Sequence, residues 1–156
     1  MRDARPIPSS DADLPVEPAQ ALARGVARLF ADLGQTALFE FSLRNRRRAD
    51  VTALAADGLF TIAEIKTSVA DFRADQKWPD YLPFCDFFYF AVPTDFPTAL
   101  IPDECGLIVA DAYGGAIVRE APEVRMNATR RRALALRYGR TAARRLMQHT
   151  DPGGGY

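Results

Sequence analysis

Apolar positions Ala21, Leu22, Val26, Leu29, Phe30 and Leu33 recur at helical spacing behind Pro18 and stop at Gly34. A proline at the first position and a glycine past the last predict a helix over 18–33. The pattern then changes period. Thr36–Arg44 reads as a strand interrupted by one acid, Glu40, and Asn45-Arg46-Arg47 as a turn. Arg48–Ala55 and Leu59–Lys66 read as two more strands around Ala56-Asp57-Gly58, a strong hairpin signal. Ser68 with Asp71 three residues on is a weaker capping box, and predicts a helix to about Trp78 that Pro79 breaks or turns. Phe87–Val92 is apolar without alternation, as a strand buried on both faces would be. Leu107–Ala110 and Ala116–Arg119 form a short strand pair, and Asn127 caps a last helix to about Met147.

The order is α-β-β-β-α-β, then a small strand pair and a long helix. The third strand and the Phe87 strand, joined through a helix, are expected to be parallel with a right-handed crossover, which makes the sheet mixed. Residues 1–17, rich in Pro, Asp and Ser, are expected to be a disordered leader. That leaves a single domain over 18–149 and a flexible tail over 150–156.

Hairpin geometry decides what the acids can do. A two-residue Asp57-Gly58 turn would set Asp50 opposite Ile65 and send Glu64 to the other face, since a one-residue slip flips every side chain. A three-residue loop with Gly58 left-handed would instead set Asp50 opposite Glu64, with Cβ atoms about 4.5–5.5 Å apart. Lys66, two residues beyond Glu64, projects from the same face. A first turn centred on Asn45 would bring Glu40 opposite Asp50 and complete an acidic row. Two carboxylates that close repel one another, and a divalent cation turns that repulsion into binding.

Composition narrows the chemistry. The length of 156 residues suits one domain, and 48% hydrophobic with 26% charged residues is an ordinary globular mix. No apolar stretch approaches a membrane span, and the N-terminus has no basic-then-apolar signal pattern, so a cytoplasmic protein is expected. Cys85 and Cys105 lack metal-site spacing and read as buried thiols. The one histidine, His149, lies near the C-terminus, which argues against histidine-based catalysis and points to carboxylate and lysine chemistry. Lys66 and Lys77 are the only lysines in a chain that otherwise uses arginine, and a lysine is the weaker choice for mere ion pairing. Net charge is zero, yet Arg119–Arg145 holds nine Arg against Glu120 and Glu123, an excess of +7 (9 − 2) suited to a polyanion.

Asp50, then Glu64-Ile65-Lys66, resembles the core of the PD-(D/E)xK nuclease superfamily. The longer stretch Arg47–Val51, Glu64–Ser68, Asp71-Phe72-Arg73-Ala74-Asp75-Gln76-Lys77-Trp78, Tyr81, Cys85-Asp86 and Phe88–Val92 resembles the MmcB-like DNA repair family. The resemblance covers about 21–118. It implies a restriction-endonuclease-like α+β fold: an αβββαβ core, with a mixed central sheet flanked by helices. It further implies DNA hydrolysis in repair with Mg²⁺ or Mn²⁺, and DNA as partner. Asp50, Glu64 and the Ile65 carbonyl are then expected metal ligands, with Glu40 standing in for an acid that many relatives carry in their first helix. Lys66 is the expected catalytic lysine; Lys77, Tyr81, Asp71 and Arg48 are auxiliary candidates. Arg46, Arg47, Arg131 and Arg137 are candidate DNA contacts. A catalytically inactive DNA-binding module of the same fold is the alternative, and a protein-interaction domain a third. The apolar run Phe84–Phe90 would fit a homodimer surface, although a buried strand explains it better.

Overall fold

The computed structural model describes residues 16–156. The expected leader lies outside the described residues except for Val16 and Glu17. The elements are α1 (Pro18–Asp32), β1 (Thr36–Ser42), β2 (Arg48–Leu54), β3 (Phe60–Ile65), α2 (Val69–Ala74), a 3-10 helix (Trp78–Phe84) and β4 (Phe87–Val92). A 3-10 turn (Thr98–Leu100), β5 (Gly106–Ala110), β6 (Gly115–Arg119) and α3 (Ala128–Thr150) follow. The αβββαβ order is present. One six-stranded sheet runs β1-β2-β3-β4-β5-β6; β3, β4 and β5 are mutually parallel and the remaining neighbours antiparallel. The terminal strand pair is therefore not a separate ribbon, because β5 extends the sheet alongside β4.

Helices cover both faces. α1 lays Leu22, Val26 and Phe30 on Val51, Ala63, Ile65, Ala91 and Ile108. It comes so near the β5–β6 turn that a Cβ on Gly25 would lie 1.8 Å from the Asp111 carbonyl oxygen. The opposite face buries Phe41, Phe60, Ile62, Phe88 and Phe90 under Phe72 of α2, Tyr81 of the 3-10 helix, and Leu134 and Tyr138 of α3. The Tyr138 hydroxyl donates to Thr36 O at 2.7 Å, which ties α3 to the edge strand β1. Phe88 and Phe90 are interior, as the buried-strand reading of the Phe84–Phe90 run expects, while Phe84 and Phe87 are half-buried.

α2 is shorter than expected. It stops at Ala74 because Asp75 turns its side chain back onto the Lys77 N–H at 3.0 Å, a local bond that competes with continuing the helix. A 3-10 helix then carries Pro79 near its start. α3 overruns its expected end and reaches Thr150.

The strands carry one irregularity that matters for the site. Ala37 and Phe39 face α1 while Leu38 and Phe41 face α3, so β1 reverses its facing between Phe39 and Phe41. β2 does the same between Ala49 and Val51. Glu40, with φ +50°, and Asp50 occupy these two reversal points, and register is unchanged on either side of them. No described helix is long and apolar enough to cross a membrane.

Candidate functional site

The β2–β3 hairpin folds with the longer of the two possible loops. Gly58 takes φ +88°, its N–H reaches Ala55 O, and Ala55 N–H reaches Leu59 O. The resulting register pairs Val51 with Ala63, so Asp50 and Glu64 are the next two residues to face each other. There the ladder stops and side chains replace it. Asp50 N–H donates to Glu64 Oε1 at 3.1 Å, and Ile65 N–H donates to Asp50 Oδ2 at 2.8 Å. The two strands fork at this point, held together by the two carboxylates.

Each carboxylate thus commits one oxygen to a backbone N–H. The second oxygen of each has no hydrogen-bond or ion-pair partner among the described residues. Glu64 is 5% exposed. Burial, and then the adjacent Asp50 charge, pushes its carboxyl up to about 8. Asp50 is raised as well, by burial first, with the Glu40 charge adding to it against the Ile65 hydrogen bond. A buried and a half-buried acid with unpaired oxygens, costly to ionise together, are the donor set that hard divalent cations take. The residues present fit such an ion.

Lys66 lies inside the same region, 5% exposed, with its ammonium 3.7 Å from Asp75 Oδ2. That separation exceeds a hydrogen bond, so the ammonium keeps donors free, and its field still lowers the pKa of both Asp50 and Glu64. Asp75 is therefore the partner of this lysine. Its carboxyl is held below the usual range mainly by the Lys77 N–H, with Lys66 contributing.

Other expected participants separate from the site. The Glu40 carboxylate pairs through one oxygen with Arg48 at 2.5 Å near the surface, beside Asp50 in the cleft at the fork, and no described group of three or more His, Cys, Asp or Glu gathers around an ion position. Asp71 caps α2, accepting the Thr67 N–H at 3.0 Å while its own N–H goes to Ser68 Oγ. Lys77 and Tyr81 do not share an α-helical face, since α2 has ended before them. Lys77 is exposed. Tyr81 is buried, stacked on Phe88 at 6.1 Å, and donates to Arg48 O at 3.2 Å. Burial first, then the Glu64 and Asp50 charges, raises its phenol, so it stays a neutral donor at the rim of the fork.

Of the candidate DNA contacts, Arg47 is engaged by Asp80 at 2.8 Å. Arg131 is a structural residue. It grips the fully buried Asp86 with both terminal nitrogens and donates to Gly58 O at 2.8 Å. Arg46 stays exposed in the turn at φ +68°. Arg137 donates through Nε to Ser42 O. A cleft of about 230 Å³ opens at the fork between α1 and the sheet, and it is lined by Glu40, Asp50, Ile65, Phe39 and, from α1, Gln20 and Arg24. Gln20 and Arg24 escaped the sequence reading. The only clue was their position one turn apart on the polar side of α1.

Comparison with known proteins agrees with this architecture. A protein of unknown function from Silicibacter pomeroyi has a solved structure that superposes with TM-score 0.88 at 44% identity, over 91% of this chain and 98% of that one. No curated protein matches. Residues 6–153, nearly the whole chain, match the family described as DNA repair protein MmcB-like. This chain belongs to the MmcB-like family of DNA repair proteins.

Proposed function

We propose that the β2–β3 fork is a metal-dependent phosphodiesterase site acting on DNA, with Asp50 and Glu64 as the ligands of Mg²⁺ or Mn²⁺ and the Ile65 carbonyl beside them. The observation carrying this reading is the pair of facing carboxylates, Glu64 buried and Asp50 half-buried, each with an oxygen left unpaired. A bound divalent ion supplies Lewis-acid polarisation of a phosphate oxygen and acidifies water. The chain's own groups do the rest. The hydrogen bonds across the fork fix both carboxylates to the backbone, so no side-chain ordering is needed when charge arrives. Lys66, held in place but not neutralised by a distant Asp75, presents a desolvated ammonium to charge building on phosphate or on the attacking water. Tyr81 keeps its proton and steadies the Arg48 carbonyl at the strand end.

Cleavage of plasmid and branched DNA in Mn²⁺ by wild type, Asp50→Asn and Lys66→Ala tests the reading. Only wild type is expected to cut. Equal cutting by all three proteins would trace the activity to a contaminant. A second reading, a DNA-binding module without hydrolysis, draws on the Glu40–Arg48 pair, which offsets the charge of a third acid beside the site. Undiminished DNA binding with no cutting under any divalent ion would establish it.

A further inference from the structure

α3 carries Arg130, Arg131, Arg132, Arg137, Arg140, Arg144 and Arg145 and not one acid. These seven do not act alike. Arg131 is consumed by Asp86, and Arg130 lies over the Phe84 ring and donates to Pro83 O. Arg145 donates through both terminal nitrogens to the Phe39 and Glu40 carbonyls of the sheet edge. Arg140 and Arg144 have no ion-pair or hydrogen-bond partner among the described residues.

Between α3 and the end of β1 lies an open cleft of about 620 Å³, lined by Ser42, Arg137, Arg140, Thr141, Arg144, Arg145 and Gln148. Every charged group in that lining is an arginine. The helical positions 137, 140, 141, 144, 145 and 148 share one face and extend for roughly 16 Å at 1.5 Å per residue. One DNA strand advances about 3.4 Å of axis per phosphate, so this length accommodates a few phosphates. Four guanidiniums on one face repel each other, and with no carboxylate in the cleft to offset them the missing counter-charge has to come from outside the chain.

We propose that this cleft is a DNA-backbone clamp, separate from the hydrolytic centre, in which Arg140 and Arg144 grip consecutive phosphates while Arg137 and Arg145 brace the wall. Clamp and fork meet at Glu40. Arg145 holds the carbonyl of Glu40, and the Glu40 side chain lines the fork cleft beside Asp50. A strand seated along α3 crosses the β1 edge at Glu40 and arrives at the carboxylate pair. The inference rests on DNA being the partner, but not on hydrolysis.

Fluorescence anisotropy of a labelled DNA duplex, titrated with protein in chelator over a salt series, tests it. The proteins are wild type, the double variant Arg140→Ala/Arg144→Ala, and Arg132→Ala, which changes an exposed α3 arginine outside the cleft. Losing two phosphate contacts lowers the slope of log affinity against log salt by about 1.8 and weakens binding at least ~10-fold at moderate salt. Arg132→Ala is expected to keep the wild-type slope within about 0.5, and all three proteins the same melting temperature. A double variant with wild-type slope and affinity overturns the clamp, as does an Arg132→Ala loss equal to half that of the double variant. Binding that passes this test, with no cutting by the same wild-type protein in Mn²⁺, sinks the hydrolytic reading and leaves the clamp standing.

Discussion

Two buried acids in this protein, Asp86 and Glu64, start from similar isolation and end in opposite electrical states. Asp86 is satisfied on all sides: Phe60 and Met126 donate backbone N–H groups at 2.8 Å, and Arg131 closes a bidentate pair. Burial opposes its ionisation, yet these four donors together hold its carboxyl below the usual range. Glu64 receives one backbone N–H and faces another acid, and its carboxyl rises to about 8. Burial alone does not mark a functional carboxylate. What separates the two is compensation from inside the chain, complete at Asp86 and withheld at the fork.

Substitutions can break this contrast at either end. The largest effect is expected at Asp50: Asp50→Asn removes a ligand charge and is predicted to cut DNA cleavage on the order of 10²–10³-fold, measured as single-turnover rate in Mn²⁺, while raising rather than lowering thermal stability in chelator. Asp86→Ala reverses that profile. It strands Arg131 and two backbone donors, costing about 3–5 kcal/mol in denaturant unfolding. A loss below 1 kcal/mol would mean that Asp86 is not the staple joining β3, β4 and α3.

pH sharpens the comparison. Glu64 has an ordinary value of 4.5 and about 8 when folded, so between those limits the folded state holds the extra proton. Stability without metal is then greatest below about pH 4.5 as far as Glu64 is concerned, and it falls as pH rises through 8. Glu64→Gln keeps the hydrogen-bond acceptor for Asp50 N–H and removes the titration. It is predicted to flatten that decline and to be more stable than wild type at pH 8 by on the order of 1–3 kcal/mol in chelator. The smallest effect concerns Thr52, whose buried hydroxyl has no partner among the described residues. Thr52→Val replaces an unsatisfied oxygen with a methyl of the same shape and should gain about 1 kcal/mol.

Much of the fork was legible before any coordinates. Asp57-Gly58 announces a tight hairpin, and of the two loop lengths that it permits the structure uses the one that sets Asp50 against Glu64. Local signals carry that information: glycine's tolerance of positive φ, the period-two alternation of strands, and a capping serine at Ser68. Partner choice over long distances was not legible. Arg131 and Asp86 lie 45 residues apart, and nothing in a run of arginines says which one a buried acid will select. Asp75 and Asp80 likewise looked alike on a polar stretch, yet one meets Lys66 and the other Arg47. The facing reversal at Glu40 and Asp50 also escapes pattern reading, because register on either side is unchanged and only the pleat slips.

Proton release on metal binding tests the central claim most directly. A cation that displaces the shared proton from the fork must expel it into the buffer. Calorimetric titration of Mn²⁺ into the apo protein in buffers of differing ionisation heat is predicted to show ~1 proton released at pH 6.5, declining toward zero above pH 8.5, with Glu64→Gln releasing none. Mn²⁺ binding with no proton release at pH 6.5, or with the same release in Glu64→Gln, would contradict the assignment of the Asp50–Glu64 pair as the metal site.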